Sequence, residues 1–218
     1  MYSRRDIANV ISVTEARALY EEADAVHDFD HVLRVLRLAE RIAQAENADL
    51  PVVRAAVLLH DVGRAEAEAT GGDHAAIGAA RTRELLEGLP AAELDAVTHA
   101  VAAHRFRTDP QPATLEAKVV FDADKLDAIG AIGVARAFAY GGAHGQRLWA
   151  PVASVDLERW EKEGDEPRAH TPVHEFVVKL SRIKDHLFTP TGRRIAAARH
   201  KAMVAFFERL GKEVQGIA

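Results

Sequence analysis

Apolar residues recur with helical spacing along almost the whole chain, and this periodicity constrains the fold more than any other feature of the sequence. The clearest stripe is formed by Val32, Val35, Leu36, Ala39 and Ile42. Spacings of three and four residues place such side chains on one face of a helix. Strict alternation of apolar and polar residues, which would indicate a strand, is absent from the sequence. The chain is therefore expected to be all-α, a bundle of helices.

Capping residues and glycines divide the chain into successive helices. Ser12 and Glu15 form a capping box, and the helix that follows should run to about Ala25. The next five helices are expected to begin at Asp30, Asp49, Asp73, Pro90 and Thr114. Gly63 should end the third helix and open a glycine-bearing loop that leads to the fourth. The sixth helix should break or kink near residues 130–133, where two glycines lie.

The helical pattern indicates a single domain over residues 1–218, with a core over about residues 12–140. Residues 141–170 break the pattern with several glycines and prolines and two isolated tryptophans, Trp149 and Trp160. Such a stretch predicts an irregular loop or lid. Helical periodicity returns over residues 171–214 in two segments separated by Thr189 and Pro190, which predicts a C-terminal helical hairpin.

Charge balance and the absence of cysteine exclude several classes of protein. The 28 Lys and Arg residues face 33 Asp and Glu residues, with both signs interspersed, which argues against a nucleic-acid partner. With no cysteine, disulfide scaffolds, thiolate zinc sites and cysteine nucleophiles are excluded, so any metal must take histidine and carboxylate ligands. No apolar run is long enough to span a membrane and no signal-peptide core is present, so we expect a cytoplasmic protein with no membrane partner.

The strongest chemical feature is the pair His60-Asp61, which ends a strongly apolar helix just before a glycine. Burying both groups costs free energy unless they gain partners, and a divalent cation would satisfy both. Other ligands must come from other helices, and His31 and Asp124 are candidates because each lies beside apolar neighbours. Taken singly, each of these residues is equally compatible with a core histidine or a solvated aspartate. Asp122, in the same Asp-Ala-Asp triplet, is the alternative to Asp124.

The order of these residues resembles that of the HD-domain phosphohydrolases, whose mark is one His, an adjacent His-Asp pair and a distant Asp. His31 in HDFDHVLRV, His60-Asp61 in AAVLLHDVG and Asp124 in FDADKLDAIG match that pattern. The DADKLDAIG and HEFVVKL stretches further resemble a bacterial subgroup of HD proteins, over approximately residues 20–210. The resemblance implies an HD-domain helical bundle in which the four side chains meet at one divalent cation, whether Mn, Fe, Co, Ni, Mg or Zn. It also implies that Asp61 and a metal-bound water are the catalytic groups.

Other polar residues are candidates for a second metal or for phosphate contacts. His74 and His104 lie between the doublet and the last Asp, where some HD phosphodiesterases carry ligands of a second metal. The same two residues could instead bind the substrate phosphate or be ordinary surface residues. Lys125 and Arg34 could neutralise phosphate charge or form surface ion pairs. His27, just before the second helix, is a candidate for the rim of the substrate pocket.

These features predict hydrolysis of a phosphoester or phosphoanhydride in a small metabolite, with a nucleotide as the best candidate, by metal-activated water. No P-loop and no serine elbow is present, so phosphate recognition must depend on the metal and on basic side chains. The alternatives are a noncatalytic HD module that binds a nucleotide and signals to a partner, and a structural bundle with incidental histidines. The expected partners are a small phosphorylated molecule and, as a homodimer, a second copy of the chain.

Overall fold

The computed structural model describes residues 7, 10–20, 29–105, 109–152 and 170–217, and within these ranges it contains helices and no strand. The helices of the first half are α1 (Val13–Arg17), α2 (Phe29–Glu46), α3 (Leu50–Leu59), α4 (Arg64–Thr70), α5 (His74–Leu85) and α6 (Ala91–Ala102). Those of the second half are α7 (Leu115–Asp127), α8 (Gly130–Ala143), α9 (Pro172–Val178), a 3₁₀ helix (Leu180–Asp185) and α10 (Pro190–Val214). The expected all-α fold is confirmed.

Helix α3 is the most deeply buried element around the site. Asp49 caps it by accepting a hydrogen bond from the Val52 N–H at 3.2 Å, and a proline stands in its first turn. Its apolar residues from Val52 to Leu59 are buried, Arg54 is the exposed residue of that stretch, and the helix packs against both α2 and α6. Because α3 is surrounded in this way, the polar residues at its C-terminal end lie inside the protein.

Two helix ends differ from the prediction. Helix α1 ends at Arg17, not near residue 25, because the following residues turn so that the Tyr20 hydroxyl donates to the Leu58 carbonyl oxygen at 3.0 Å. Helix α3 ends at Leu59, four residues before the glycine that was expected to end it, and residues 60–63 form a turn. In that turn the Val62 N–H donates to the Leu59 carbonyl oxygen at 3.1 Å.

The prediction of a glycine-bearing loop after Gly63 is wrong, because residues 64–70 form helix α4. The segment Arg-Ala-Glu-Ala-Glu-Ala-Thr is composed mainly of strong helix formers, and this local preference prevails over the flanking glycines. Gly71 then ends the helix with a left-handed φ of 72°. The predicted break near residues 130–133 is confirmed, since α7 ends at Asp127 and α8 begins at Gly130 with a φ of 80°.

The chain forms two compact units, one drawn from residues 1–125 and 188–192 and the other from residues 126–187 and 193–218. The expectation of a single domain stays a prediction. Helix α8 extends into the segment predicted to be irregular, and residues 153–169 of that segment, with Trp160, lie outside the described ranges.

The C-terminal helices pack against each other within the second unit. Phe176 of α9 stacks on Phe207 of α10 with ring centroids 4.4 Å apart, as the predicted hairpin requires. The segment after α9 is a 3₁₀ helix rather than a continuation of the α-helix. No helix within the described ranges is both long and apolar enough to cross a membrane.

Candidate metal centre

Three side chains from three helices of the first unit meet at the end of α3. His31 comes from the first turn of α2, His60 follows the last residue of α3, and Asp124 lies on α7. The two histidine Nε2 atoms are 3.4 Å apart, and the His31 Nε2 atom is also 3.4 Å from Asp124 Oδ1. One ligand atom from each residue lies within 4.8 Å of the other two. The structure thus brings together three of the four residues that the sequence singled out.

The ring of His60 is held in one orientation by its own helix. Its Nδ1 atom is 2.7 Å from the Val57 carbonyl oxygen, and because a carbonyl can only accept, Nδ1 carries the proton and donates. The Nε2 atom is left with a free electron pair facing His31. Burial lowers the pKa of His60 to about 4, although the nearby Asp61 carboxylate partly opposes this shift. At neutral pH His60 is therefore uncharged and able to act as a ligand.

A second cluster adjoins the first and consists of Asp61, His74 and His104. His104 is buried, and its Nδ1 atom donates to the Val101 carbonyl oxygen at 2.6 Å. Its Nε2 atom is 3.2 Å from the His74 Nε2 atom and 3.6 Å from Asp61 Oδ1. The pKa of His74 is lowered to about 4 by burial and by the neighbouring His104. The two further histidines of the sequence analysis therefore face the doublet.

Asp61 lies between the two clusters. Its Oδ2 atom is 3.6 Å from His60 Nε2 and 3.9 Å from His31 Nε2, while its Oδ1 atom points toward His74 and His104. Burial alone would raise the pKa of this carboxyl, but His60, His104 and Arg64 hold it well below its usual value. Asp61 is therefore a buried carboxylate with one oxygen toward each cluster.

The donor set fits divalent metal ions. The unprotonated Nε2 atom of His60 and the carboxylate of Asp61 are buried electron-rich groups, and a divalent cation bound to them would offset the cost of their burial. Each cluster offers three nitrogen or oxygen donors, a combination suited to first-row divalent metals.

The structure distinguishes the two carboxylates of the Asp-Ala-Asp triplet. Asp122 is fully buried and accepts hydrogen bonds from the N–H groups of Phe188 and Thr189, at 2.9 and 2.7 Å, and from the Thr189 hydroxyl at 2.6 Å. Asp124 instead faces His31, and Lys125 donates to its Oδ2 atom at 2.6 Å. Although burial alone would raise the pKa of Asp124, Lys125 and His31 hold it well below its usual value. Asp122 thus anchors the backbone near residue 188, and Asp124 belongs to the cluster.

The remaining candidates have varied positions. Lys125 is paired with Asp124, and Arg34 lies half-buried on α2, one turn after His31. Trp149 belongs to the second unit, and His27 lies outside the described residues.

Sequence reasoning missed Arg64, whose guanidinium group donates hydrogen bonds to the carboxylate of Asp61. The only signal for this contact was the three-residue spacing, which places Arg64 one turn beyond Asp61.

Comparisons with known proteins show which family this chain resembles. The HD domain family model matches residues 28–129, a range that includes both clusters. The Bacillus subtilis protein YpgQ is 33% identical over 208 residues, which cover 94% of this chain and 92% of YpgQ.

Solved structures with the same fold extend the comparison. A crystal structure of Bacillus subtilis YpgQ in complex with ADP matches this chain with a TM-score of 0.71 and 30% sequence identity. The match covers 95% of this chain and 100% of the YpgQ chain. An HD-superfamily hydrolase from Bacillus thuringiensis has a TM-score of 0.72 and 29% identity, covering 96% of each chain. The fold is that of HD-superfamily hydrolases.

Proposed function

Because the chain belongs to the HD domain family, we propose that it is a metal-dependent phosphohydrolase. The proposed ligands of its divalent cation are His31, His60, Asp61 and Asp124. The observation that carries the proposal is the buried, unprotonated Nε2 atom of His60, 3.4 Å from the Nε2 atom of His31. An unprotonated nitrogen next to a second imidazole and to nearby carboxylates is a donor arrangement suited to a divalent cation.

The residues around the cation have separate roles in this proposal. A bound cation would lower the pKa of a water molecule and polarise a phosphoryl oxygen. His60 contributes a neutral nitrogen whose direction is fixed by its hydrogen bond to the Val57 carbonyl oxygen. Asp61 contributes a carboxylate that stays ionised at neutral pH and faces both clusters. Lys125 places a positive charge next to Asp124, where it can help to neutralise a phosphate.

His74 and His104 are proposed to hold a second cation together with Asp61. The support is the same as for the first cluster, since the Nε2 atoms of the two histidines face each other at 3.2 Å and each is within 3.7 Å of Asp61 Oδ1. With two cations, the carboxylate of Asp61 would bridge them, as in two-metal phosphoryl-transfer sites.

A nucleotide is the proposed substrate class, hydrolysed at a phosphoester or phosphoanhydride bond. The support is indirect: the similar protein YpgQ has been crystallised in complex with ADP. Arg34 is proposed, with Lys125, to contact the phosphates, and the alternative is a noncatalytic module that binds a nucleotide and signals to a partner.

Metal-dependent turnover tests the proposal. Protein stripped of metal is reloaded with Mn, Co, Ni, Mg or Zn and incubated with nucleoside mono-, di- and triphosphates and with generic phosphoesters, and every product is separated by anion-exchange chromatography. We expect turnover with at least one metal, reduced about a hundredfold or more in Asp61→Ala because a shared ligand is lost. Asp95→Ala, which removes an exposed carboxylate paired with Arg83, is the matched control and should retain full activity.

Two results would contradict the proposal. Turnover retained in Asp61→Ala would show that the chemistry does not depend on the clusters. Tight nucleotide binding by the metal-loaded wild type without any product would favour the noncatalytic module.

A further inference from the structure

One buried carboxylate of α7 binds the chain segment that leads into α10. Asp122 is fully buried, and its Oδ2 atom accepts hydrogen bonds from the N–H and the hydroxyl of Thr189, at 2.7 and 2.6 Å. Its Oδ1 atom accepts a hydrogen bond from the Phe188 N–H at 2.9 Å. The Thr189 hydroxyl oxygen in turn accepts a hydrogen bond from the Gly192 N–H at 2.9 Å. We call this set of contacts, formed by Asp122, Phe188, Thr189 and Gly192, the Asp122 junction.

The Asp122 junction has no room for a side chain at residue 192. A Cβ atom on Gly192 would lie 2.4 Å from Asp122 Oδ2 and 2.8 Å from the Thr189 hydroxyl oxygen. Both distances are shorter than non-bonded contacts allow, so a methyl group at this position would displace the carboxylate. The backbone at residue 192 therefore approaches Asp122 more closely than any residue with a side chain could.

Asp122 and the proposed metal ligand Asp124 lie on the same helix and point in different directions. An α-helix has about 3.6 residues per turn, so side chains two positions apart differ in direction by roughly 200°. Asp122 faces residues 188 and 189, whereas Asp124 Oδ1 is 3.4 Å from His31 Nε2. A rotation of α7 about its axis that moves one carboxylate therefore moves the other.

Hydrogen bonds fix such a rotation more sharply than apolar packing does. Around Asp122, α7 buries apolar side chains, among them Val119, Val120 and Ala123. Burial of apolar surface is non-directional, whereas hydrogen bonds weaken steeply when their angles depart from the preferred range. The three hydrogen bonds that Asp122 accepts are therefore suited to hold α7 in one rotation.

A second line of contacts runs from the same segment to Asp124. The Phe188 ring packs edge-on against the Phe121 ring, with centroids 5.1 Å apart. The Lys125 Nζ atom lies 5.5 Å from the centroid of the Phe121 ring and donates to Asp124 Oδ2 at 2.6 Å. The segment before α10 therefore supports Asp124 both through the helix axis and through this row of side chains.

We propose that Asp122 is a positioning residue, which through the Asp122 junction fixes the direction of Asp124 and so sets the metal affinity of its cluster. The cluster concerned is that of His31, His60 and Asp124. The inference rests on the proposed function and assigns part of the affinity to a residue 67 positions later in the chain, Thr189. The oxygens of Asp122 bind donors of residues 188 and 189, so its role passes through Asp124.

Calorimetric titration with Mn²⁺ tests this role without requiring turnover. Wild type and each variant are stripped of metal and titrated, and urea denaturation measures the stability of each. Asp124→Ala serves as the reference, because the binding step that disappears in this variant belongs to the cluster of His31, His60 and Asp124.

Two pairs of variants alter the Asp122 junction without changing a proposed ligand. Thr189→Val removes the hydroxyl that donates to Asp122, whereas Thr189→Ser keeps it. Gly192→Ala displaces the carboxylate. Gly211→Ala is its matched control, because it makes the same change within α10 at a position where a Cβ atom would meet no atom within 4 Å.

We expect Thr189→Val and Gly192→Ala to bind Mn²⁺ about tenfold or more weakly at the step assigned by Asp124→Ala, the usual effect of losing a group that orients a metal ligand. Thr189→Ser should keep most of the wild-type affinity, and Gly211→Ala should match wild type. Any binding step that Asp124→Ala retains should keep its affinity in all variants. The reason is that the second cluster contains no residue of α7; its members are Asp61, His74 and His104.

Wild-type Mn²⁺ affinity in Thr189→Val and Gly192→Ala would overturn the inference, whether or not stability falls, because the Asp122 junction would then serve only the stability of the fold. Equal weakening of the steps that Asp124→Ala retains would also overturn it. Where Gly192→Ala does not fold, the comparison of Thr189→Val with Thr189→Ser decides. A wild type that binds no Mn²⁺, or unchanged binding in Asp124→Ala, would contradict the proposed metal centre itself.

Discussion

At the scale of single residues, the candidate centre depends on which ring nitrogen of each histidine carries the proton. His60 and His104 both stand just after an apolar helix, and in both the Nδ1 atom donates to the carbonyl oxygen three residues earlier. The same contact therefore satisfies a carbonyl group at the end of the helix and directs the Nε2 atom of each ring into its cluster. The sequence shows where these histidines lie along the helices, but the choice of nitrogen requires the turn geometry.

The lowered pKa of His60 predicts how stability depends on pH in the metal-free protein. His60 has a pKa of about 4 when folded, against the ordinary histidine value of 6.5, so as pH falls the unfolded chain takes up a proton first. The unfolding free energy should therefore decrease as pH falls from about 6.5 to 4. The pKa values of Asp61 and Asp124 are lowered from 3.8, so protonation of these two carboxylates should decrease the unfolding free energy further only below about pH 4.

Urea denaturation of metal-free protein at pH 7 and pH 5 measures this effect. We expect lower stability at pH 5, and a smaller difference between the two pH values in His60→Gln, whose side chain does not titrate. The remaining difference in His60→Gln is assigned to His74 and His200, whose pKa values are lowered in the same direction. His144→Gln, which replaces an exposed histidine, is the control, and its stability should change between the two pH values as much as that of wild type does. If the stability of His60→Gln changed between pH 7 and pH 5 as much as that of wild type does, the protonation state assigned to His60 would be contradicted.

At the scale of elements, the turn after α3 lies against α5 because two glycines meet there. A Cβ atom on Gly63 would lie 2.4 Å from the Gly78 nitrogen and 2.6 Å from the His74 carbonyl oxygen. Both neighbours are backbone atoms, so they could not move aside without shifting α5. The missing side chain at Gly63 is thus what allows His74 to approach Asp61.

We predict that Gly63→Ala destabilises the protein by roughly 1–3 kcal/mol, the usual cost of inserting a methyl group into a packed site. It should also weaken Mn²⁺ binding at the cluster of Asp61, His74 and His104, because α5 must move. Urea denaturation and calorimetric titration with Mn²⁺ measure the two effects. Gly211→Ala is the control, since its Cβ would meet no atom within 4 Å and it lies inside α10. A stable Gly63→Ala variant with normal Mn²⁺ binding would show that the close approach is not required.

The elements also show where local sequence signals are sufficient. The break between α7 and α8 was predictable because glycines interrupt a long apolar pattern, and Gly130 does adopt a φ of 80°. Helix α4 was missed because its short, charged segment has no apolar stripe, so the flanking glycines dominated the prediction. Packing decided the early end of α1, where the Tyr20 hydroxyl bonds to the Leu58 carbonyl oxygen. Contacts of this kind, 38 residues apart in the chain, leave no local pattern.

At the scale of the whole molecule, the fold class was predictable from helical periodicity, and the candidate residues of the centre were predictable from their order along the chain. The choice between Asp122 and Asp124 could not be made from periodicity, which does not fix how a helix is rotated toward its neighbours. Asp122 is directed to the backbone of residues 188 and 189, more than sixty positions away. The contact between Arg64 and Asp61 likewise depends on the turn that joins α3 to α4.

Both clusters and Arg64 belong to the first compact unit, residues 1–125 and 188–192. The second unit contains Trp149, which lies in the segment that the sequence predicts to be an irregular loop or to act as a lid. That role stays a prediction.

The most direct test of the central claim is anomalous scattering from crystals soaked in MnCl₂, with data collected on both sides of the manganese absorption edge. The account predicts an anomalous peak bounded by His31 Nε2, His60 Nε2 and Asp124 Oδ1, and its absence from crystals of Asp124→Ala. Crystals that take up manganese elsewhere, with no peak between these three atoms, would contradict the proposed metal centre.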